Sequence, residues 1–449
     1  MSPLSEHTSK ESVLSLIETE KVKFIEMQFC DILGVIKTVS IPSTSAERAI
    51  DEGVFLDGSS ILGYATIDES DMRAMPILDS FQIYPWTSDT PYKTARFMCK
   101  IYDHHGNRFE GDPRYVLERA IAKAEEMGYF YNVGPEFEFF LFKTDCDGNP
   151  VVVPNDRFGY FDLIPQDQGD IVRKEIMMYF DVLGYNVEAA HHEVAEGQHE
   201  VDMRYADALT VADRIMTLRY GIKTIARKHG LHATFMPKPI YGQNGTGMHV
   251  HQSLMNSEGK NIFYDPDARF GLSKECLCYI GGTMRFSKDM ASVLTSTVNS
   301  YKRLVPGYEA PCYVAWANRN RSALIRVPAA RGSGTRMELR CPDPAGNPYL
   351  SFACMLMAGL KGIQEDIMPP EPMEKNIFAM SAPQRSAEGI DSLPGDLGHA
   401  INITEKSEFM KEVLGPHVFS HYVHIKNEEW DSYRTFVTDW EIKRYLNVF

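Results

Sequence analysis

Strand-like runs of apolar residues dominate the beginning of the chain. After a short amphipathic start, runs such as KFIEMQFCDILGVIKTVSI and FQIYPW are rich in β-branched and aromatic residues, and turn signals such as Asp57-Gly58 separate them. This pattern predicts a small, mostly β domain over residues 15–103.

Helical patterns begin after a polar turn, DHHGNRFEGDPR. Asp112 is placed to cap a helix, Pro113 suits its first position, and Gly128 follows its end. Beyond this helix, short strands alternate with helical patterns such as TVADRIMTLRYGIKTIARKHG. We therefore predict an α+β protein whose second domain, residues 110–449, contains an open sheet with one functional face.

The last residues of the chain, WEIKRYLNVF, form an apolar stripe. Ile442, Tyr445, Leu446 and Phe449 follow the spacing i, i+3, i+4, i+7 of one helix face. Such a stripe packs on its own domain or docks on a neighbouring subunit.

Composition and charge narrow the classes of partner. The chain of 449 residues has a formal net charge of −15, which argues against nucleic acid and anionic membranes as partners. Its N-terminus, MSPLSEHTSKES, lacks the basic flank and apolar run of a signal peptide, and we find no apolar run long enough to span a bilayer. Eight scattered cysteines without a C-x-x-C pair suit free thiols in a reducing compartment, so we expect a cytoplasmic protein.

The motif GPEFEFF places two acids inside a predicted strand. Glu136 and Glu138 share one face, while Phe137 and Phe139 point into the core. Two like charges so close repel unless a cation lies between them, although a solvated edge strand would also explain the isolated motif.

A second acidic stretch, HHEVAEGQHE, offers Glu193 and Glu200 around a turn at Gly197. A zinc helix of the H-E-x-x-H type would need histidine where Glu196 stands, so that class of metalloprotease is excluded.

A glycine-rich loop precedes the third motif, GQNGTGMHVHQSL. Its glycines do not match G-x-G-x-x-G and no helix follows, which excludes a dinucleotide fingerprint. The loop instead lets backbone approach a small ligand closely and leads into a strand that presents His249, His251 and Ser253 on one face.

Arginines are concentrated late in an otherwise acidic chain. In RMELR, Arg336, Glu338 and Arg340 alternate with buried positions, and only Glu309 and Glu338 are acidic between residues 303 and 340. This block indicates an anion-binding wall, with surface ion pairs as the alternative. Its arginines are Arg303, Arg319, Arg321, Arg326, Arg331, Arg336 and Arg340.

Carboxylates with an occasional imidazole are ligands that suit Mg²⁺ or Mn²⁺, and their number here suggests two or more ions. Ions of this kind beside arginines are what phosphoryl transfer from ATP requires. The five acids are Glu136, Glu138, Glu193, Glu200 and Glu338.

The ordered motifs DGSS, GPEFEFF, HHEVAEGQHE, NGTGMHVHQSL, NSYKRLVPGYEAP, RNRSALIRVP and RMELRCPDP resemble those of class I glutamine synthetase from about residue 15 onward. The resemblance implies a small N-terminal β-grasp-like domain and a large catalytic domain whose open, antiparallel-rich sheet forms an active-site funnel. It also implies that ATP phosphorylates the γ-carboxylate of glutamate and that ammonia attacks the resulting acyl phosphate.

Motif positions carry the family's roles onto this chain. The first metal site falls on Glu138, Glu193 and Glu200, and the second falls on Glu136, His249 and Glu338. The resemblance implies that glutamate and the transferred phosphoryl group are bound by Asn244, Gly245, His249, Arg303, Arg321 and Arg340. It also implies a nucleotide site lined by Glu188, Tyr205, His251, Ser253, Arg326 and Arg336.

Three further residues are implied around the ammonium ion. Glu309, in VPGYEAP, corresponds to a flap acid that closes the site and takes a proton, and Tyr160 lines the same small cation pocket. Asp57 matches a carboxylate that reaches the active site of the adjacent subunit, although local sequence alone predicts only a β-turn aspartate. A homo-oligomer follows, which in this family is a dodecamer of two stacked hexamers clasped by the C-terminal tail.

The sequence departs from the family pattern at regulatory positions. Phe378, in EKNIF, replaces a modifiable tyrosine, and Thr66 occupies the position of an arginine used in glutamine feedback, so neither control mode is assumed. The family's lysine near the nucleotide phosphates has no counterpart, and Arg331 is the candidate replacement.

Three alternative functions share parts of this pattern. A γ-glutamyl ligase for a polyamine would need the cation pocket opened, whereas Asp57, Tyr160 and Glu309 are retained. A non-catalytic ring-forming relative would lose its metal ligands, and all six are present. A two-metal phosphohydrolase has no use for Asp57 or the flap.

Overall fold

The computed structural model describes residues 8–64, 70–163, 167–308 and 310–449. Thr66 and Glu309 therefore lie outside the described residues.

The N-terminal part of the chain is a six-stranded sheet with two helices. The strands follow the order β2-β1-β6-β4-β3, and β5 also pairs with β6. β1 and β6 are parallel, and the other pairs are antiparallel. These elements are α1 Lys10–Thr19, β1 Phe24–Cys30, β2 Ile36–Pro42, α2 Ala46–Glu52, β3 Val54–Asp57, β4 Asp71–Pro76, β5 Gln82–Ile83 and β6 Thr94–Tyr102.

The remainder of the chain combines helices with a larger sheet. Its helices are α3 Pro113–Glu126, α4 Gln168–Val182, α5 Ala208–Lys228, α6 Lys274–Arg285, α7 Ala291–Leu294, α8 Ser300–Arg303, α9 Pro348–Gln364, α10 Ala382–Ala387, α11 Leu397–Lys406, α12 Glu408–Thr435 and α13 Asp439–Tyr445. Its strands are β7 Phe130–Thr144, β8 Pro150–Pro154, β9 Val187–His192, β10 Gln198–Met203, β11 Ala206–Asp207, β12 Leu231–Thr234, β13 Val250–Met255, β14 Tyr313–Val314, β15 Trp316–Asn318, β16 Ile325–Val327, β17 Met337–Leu339 and β18 Asp391–Ser392.

The long strand β7 organises the ten-stranded sheet. The main path is β15-β16-β17-β13-β7-β10-β9, and β8, β11 and β12 also pair with β7. Only β15 and β16 run parallel among the described pairs of this sheet. The α+β class, with a small β-grasp domain before a large mixed domain, is therefore confirmed.

Local sequence explains the helices that hold the sheet. The side chain of Asp112 accepts a hydrogen bond from the Arg114 amide and caps α3, as predicted. The apolar helix α9 is buried almost all round, and α6 packs against it where Gly282 and Gly362 meet. A Cβ on Gly282 would lie 2.2 Å from the carbonyl oxygen of Ala358, so only glycine permits this approach. Within the described part of the chain, no helix is long and apolar enough to cross a membrane.

The two parts of the chain are in direct contact. The amide nitrogen of Asn347, which caps α9, donates to the carbonyls of Asp31 and Ile32, each at 3.2 Å. Gly34 has a φ of 80° and packs on Asn347, where a Cβ would lie 2.8 Å from its Cα.

The C-terminal helix α13 leaves its apolar stripe exposed. Leu446 is 68% exposed and Phe449 is 98% exposed, so the stripe does not pack on its own domain in the single chain. The alternative of docking on a neighbouring subunit stays open.

Candidate active site

Strand register brings four acids onto one face of the sheet. In the antiparallel pairing of β7 with β10, Glu138 lies opposite Glu200 and Glu136 lies opposite Asp202. Alternate residues of a strand share a face, which is why these acids converge while Phe137 is fully buried on the other side.

Strand β13, the other neighbour of β7, completes the set of site residues. The Glu136 amide donates to the carbonyl of His249 at 2.9 Å, so the residues before β13 continue the pairing. Further along, His251 lies opposite Glu338 on β17, and Arg326 of β16 lies opposite Glu338 from the far side.

A first cavity of 340 Å³ opens on this face. It contains all six predicted metal ligands together with predicted glutamate-binding residues. Its lining includes Glu136, Glu138, Glu193, Glu200, His249, Glu338, Tyr160, Asn244, Gly245, Arg303, Arg321, Arg326 and Arg340. Tyr308 and Ala310 also line it and flank Glu309 in the sequence.

A second cavity of 430 Å³ adjoins the first through Glu136. It collects five of the six residues predicted for the nucleotide, which are Glu188, Tyr205, His251, Ser253 and Arg336. Arg326, the sixth, lines the first cavity instead, because its guanidinium donates to Glu338.

The first acid cluster strongly favours a cation. Burial raises the pKa of Glu200 to about 10, and repulsion from Asp202, Glu136 and Glu193 adds to this. Burial and the charges of Glu200 and Glu193 likewise hold the pKa of Glu138 well above its usual range. His191 lies between two of these acids, with Nε2 at 3.2 Å from Glu200 and Nδ1 at 3.7 Å from Glu193.

The second cluster is held ionised by its neighbours. Although burial acts in the other direction, hydrogen bonds from His249 at 2.8 Å and His251 at 2.9 Å keep the pKa of Glu136 below its usual range. His249, His251 and Arg340 lower the pKa of buried Glu338 against the effect of burial. Because Nδ1 of His249 donates to Glu136, its Nε2 carries a lone pair that a cation can accept.

Both clusters fit divalent metal by their chemistry. Three mutually repelling carboxylates, and a separate set of two carboxylates with one imidazole, supply the oxygen-rich ligands that Mg²⁺ and Mn²⁺ accept.

The arginines around Glu338 are fixed by the fold. Nε of Arg340 donates to Glu338 at 3.2 Å, and Nε of Arg336 donates to Nδ1 of His251 at 3.2 Å. Arg303 is buried and donates to the carbonyls of Cys341 at 2.7 Å and Arg340 at 3.1 Å.

Two predicted residues are placed elsewhere. Asp57 ends β3 in the N-terminal sheet, where its carboxylate accepts from the Ser59 amide at 2.9 Å. The turn aspartate predicted from local sequence is therefore present, and Asp57 is not among the residues lining either cavity. Nε of Arg331 donates to the carbonyl of Phe270 at 2.5 Å, and Nη2 of Arg331 donates to Asn318 at 2.7 Å.

Gln198 is a buried site residue that sequence reasoning missed. Its side-chain nitrogen donates to Glu138 at 2.7 Å and to the carbonyl of Gly245 at 3.0 Å. The sequence did contain a signal for this residue. Gln198 comes two residues before Glu200, and alternate residues of a strand share a face, so both lie on the same face of β10.

A buried polar group supports the turn that carries Glu193. Oδ1 of Asp156 accepts from the Gly197 amide and from Nε2 of His192, each at 3.0 Å. Asp156, His192 and His199 are residue types that bind metals, and their ligand atoms lie within 4.8 Å of one another. However, Arg173 donates to Nδ1 of His199 at 2.6 Å, which leaves the proton of the neutral ring on Nε2 and no lone pair for an ion.

Carboxylates, an imidazole and arginines around one cavity, with a second cavity next to it, define a metal-dependent enzyme of phosphoryl transfer. Family models described as "Glutamine synthetase, beta-Grasp domain" and "Glutamine synthetase, catalytic domain" match residues 21–104 and 110–445. The chain belongs to the glutamine synthetase family, and it is an enzyme that ligates ammonia to glutamate at the expense of ATP.

Similar proteins agree over nearly the whole chain. The glutamine synthetase of Clostridium saccharobutylicum is 53% identical over 441 residues, covering 98% of this chain and 99% of the relative. That of Methanosarcina mazei is 51% identical over 441 residues, covering 98% of each chain. A solved structure described as "GmaS/ADP complex-Conformation 1" has a TM-score of 0.89 at 30% identity, covering 98% of this chain and all of the other.

Proposed function

We propose that this enzyme synthesises glutamine with two divalent cations, Mg²⁺ or Mn²⁺, in the first cavity. Glu138, Glu193 and Glu200 hold one ion, and Glu136, His249 and Glu338 hold the other. The ions screen the negative charge that gathers when a nucleotide phosphate approaches a carboxylate. The observation that carries the proposal is the convergence of all six ligands on one cavity.

Glutamate binds in the same cavity. The loop with Asn244 and Gly245 offers backbone and amide groups, and Arg303, Arg321 and Arg340 offer positive charge. His249 and Tyr160 complete this wall. The family resemblance places Arg340 near the carboxylate to be activated, and Arg340 is held against Glu338 beside the second ion site.

ATP binds in the second cavity with its phosphates directed toward Glu136, the residue that both cavities share. Glu188, Tyr205, His251, Ser253 and Arg336 line this cavity. The similar solved structure, which is described as an ADP complex, supports the binding of a nucleotide by this fold. Arg326 acts at the phosphate end, since it borders the first cavity.

The reaction proceeds in two displacements. An oxygen of the glutamate γ-carboxylate attacks the γ-phosphorus of ATP and ADP leaves, while Arg321 and Arg340 stabilise the transferred charge. Ammonia then attacks the acyl carbon and phosphate leaves. Asp57 takes a proton from ammonium before this attack, and Glu309 closes the site and takes a proton after it.

Asp57 acts in the site of a neighbouring copy, because its own strand β3 belongs to the N-terminal sheet and not to its chain's cavities. The two domains are residues 15–103 and 110–449. The assembly is a dodecamer of two hexameric rings, and the exposed C-terminal stripe forms the contact between the rings. The scattered free thiols fit a cytoplasmic location.

The test is a direct comparison of two acceptors, with a variant that lacks one proposed metal ligand. Purified enzyme with ATP, glutamate and Mg²⁺ is given ammonium or putrescine, and the amide product and phosphate are measured. We expect glutamine from ammonium, loss of it in Glu338→Gln, and little product from putrescine. A preference for putrescine would overturn the ammonia assignment, and full activity of Glu338→Gln would overturn the second ion site.

A further inference from the structure

Lys238 is a buried cation that the reaction scheme above leaves unused. It is 9% exposed and lies after β12. Its backbone is fixed by Asn299, whose side chain accepts from the Lys238 amide at 2.7 Å and donates to the Lys238 carbonyl at 3.1 Å. The backbone from which the lysine side chain extends is therefore fixed.

The ammonium group touches two segments of the first cavity. It donates to the carbonyl of Gln243 and lies 3.9 Å from the ring centroid of Tyr308. Burial lowers the pKa of Lys238, and the charge of Arg303 lowers it further. The face of the Tyr308 ring offers the ammonium group a favourable cation–π contact.

One of these segments is the loop that carries Asn244 and Gly245. The Thr246 amide donates to the carbonyl of Pro237 at 2.8 Å, so the loop is anchored on the residues around Lys238. A Cβ on Gly245 would lie 2.4 Å from that same carbonyl, which shows how closely the loop packs there.

The other segment leads to Glu309. Tyr308 and Ala310 both line the first cavity, and Gly307 before them has a φ of 100°, a conformation that favours glycine. A ring that rests on the ammonium group of Lys238 limits where this segment can go. A cation–π contact is also weak enough to break and reform as substrates enter.

We propose that Lys238 is a positioning residue that couples the glutamate loop to the segment of Tyr308 and so keeps water from the acyl phosphate. The inference rests on the proposed function. If water enters, its oxygen attacks the acyl carbon, the bond to phosphate breaks, and glutamate and phosphate are returned without glutamine. An enzyme that has lost the contact therefore consumes ATP without making glutamine.

The experiment measures phosphate released per glutamine formed, at limiting ammonium, in full-length enzyme. Lys238→Met and Tyr308→Leu remove the contact, whereas Lys238→Arg and Tyr308→Phe keep a cation and a ring. Lys411→Met is the control for loss of a lysine near a ring, since Lys411 is exposed, pairs with Glu408 and lies 5.9 Å from the ring centroid of Phe419 on α12, away from both cavities. Gel filtration and thermal unfolding check each variant.

We expect the ratio to be near one for the wild type and Lys411→Met, to rise about twofold or more in Lys238→Met and Tyr308→Leu, and to return toward one in Lys238→Arg and Tyr308→Phe. The double variant Lys238→Met/Tyr308→Leu should be no worse than either single change, because both remove one contact. If Lys238→Met fails to fold, the comparison of Tyr308→Leu with Tyr308→Phe tests the inference. A ratio that stays near one while glutamine forms more slowly would overturn the inference, whereas a wild type that forms no glutamine would overturn the proposed function.

Discussion

Gln198 joins a proposed metal ligand to the glutamate loop. Its amide nitrogen donates to Oε2 of Glu138 at 2.7 Å and to the Gly245 carbonyl at 3.0 Å, and its oxygen accepts from the Ala195 amide at 3.2 Å. At 1% exposure, every polar atom of this side chain is used without help from solvent. One neutral side chain therefore links the first proposed ion site to the loop proposed to bind glutamate.

We expect Gln198→Met to weaken metal and glutamate binding together. Methionine fills a similar volume but leaves Glu138 and the Gly245 carbonyl without their donor, a loss of about 1–3 kcal/mol for buried groups. Metal affinity should fall about 10- to 100-fold, as for other residues that orient a ligand. Mn²⁺ titration and the KM for glutamate measure both effects.

Gln364→Met is the control for this change, because Gln364 lies exposed at the end of α9. Unchanged Mn²⁺ affinity in Gln198→Met would show that the amide does not orient Glu138.

Short-range patterns in the sequence predicted the pieces of the site but not all of their contacts. Alternation in GPEFEFF was enough to place Glu136 and Glu138 on one face, since strand geometry has a fixed period. Caps and glycines likewise predicted α3. Gln198 and Lys238 were missed because their partners, Glu138 and Tyr308, are distant in sequence and only strand pairing or loop packing brings them together. Asp57 and its role came from the family resemblance, since its own turn gives no sign of catalysis.

Metal binding should become tighter as pH rises. The pKa of Glu200 is about 10 in the folded chain against an ordinary 4.5, so the folded chain keeps a proton that the unfolded chain releases. A group with a raised folded pKa contributes stability below the unfolded value, and this contribution is lost as pH rises from 4.5 toward 10. A divalent cation replaces that proton, so its stabilising effect grows across the same window.

Calorimetric titration of Mn²⁺ at about pH 6.5 and about pH 8.5 checks this, with proton release read from buffers of different ionisation enthalpy. In Glu200→Gln, affinity should be lower and its pH dependence smaller. Equal affinity at both values with no proton release would contradict the raised pKa of Glu200.

Asp156→Asn should loosen the turn that carries Glu193. The carboxylate accepts from the Gly197 amide and from His192. Although burial opposes this, the hydrogen bond from His192 and the charge of that ring lower the pKa of Asp156 to about 2. An amide in its place loses the charge that His192 requires, a loss of about 2 kcal/mol for a charged hydrogen bond. We expect a lower melting temperature and weaker Mn²⁺ binding.

The matched control is Asp147→Asn, an exposed residue of the turn between β7 and β8. Melting curves of the two variants with and without Mn²⁺ separate a general loss of stability from an effect on the site. Asp156→Asn behaving like Asp147→Asn would rule out support of the turn by Asp156.

Mixing two inactive variants tests whether neighbouring copies share each active site. Asp57→Ala damages only the part of the site that the N-terminal domain contributes, and Glu338→Gln damages only the cavity. If the two residues of one site come from different chains, random assembly of an equal mixture leaves about a quarter of the sites intact. Activity should therefore return after the two proteins are dissociated and reassembled together. A mixture of Glu338→Gln with Glu138→Gln should stay inactive, because both changes fall in the same cavity of one chain. If the Asp57→Ala mixture also stays inactive although mixed oligomers form, Asp57 serves the cavity of its own chain, and the ring is not needed to complete the site.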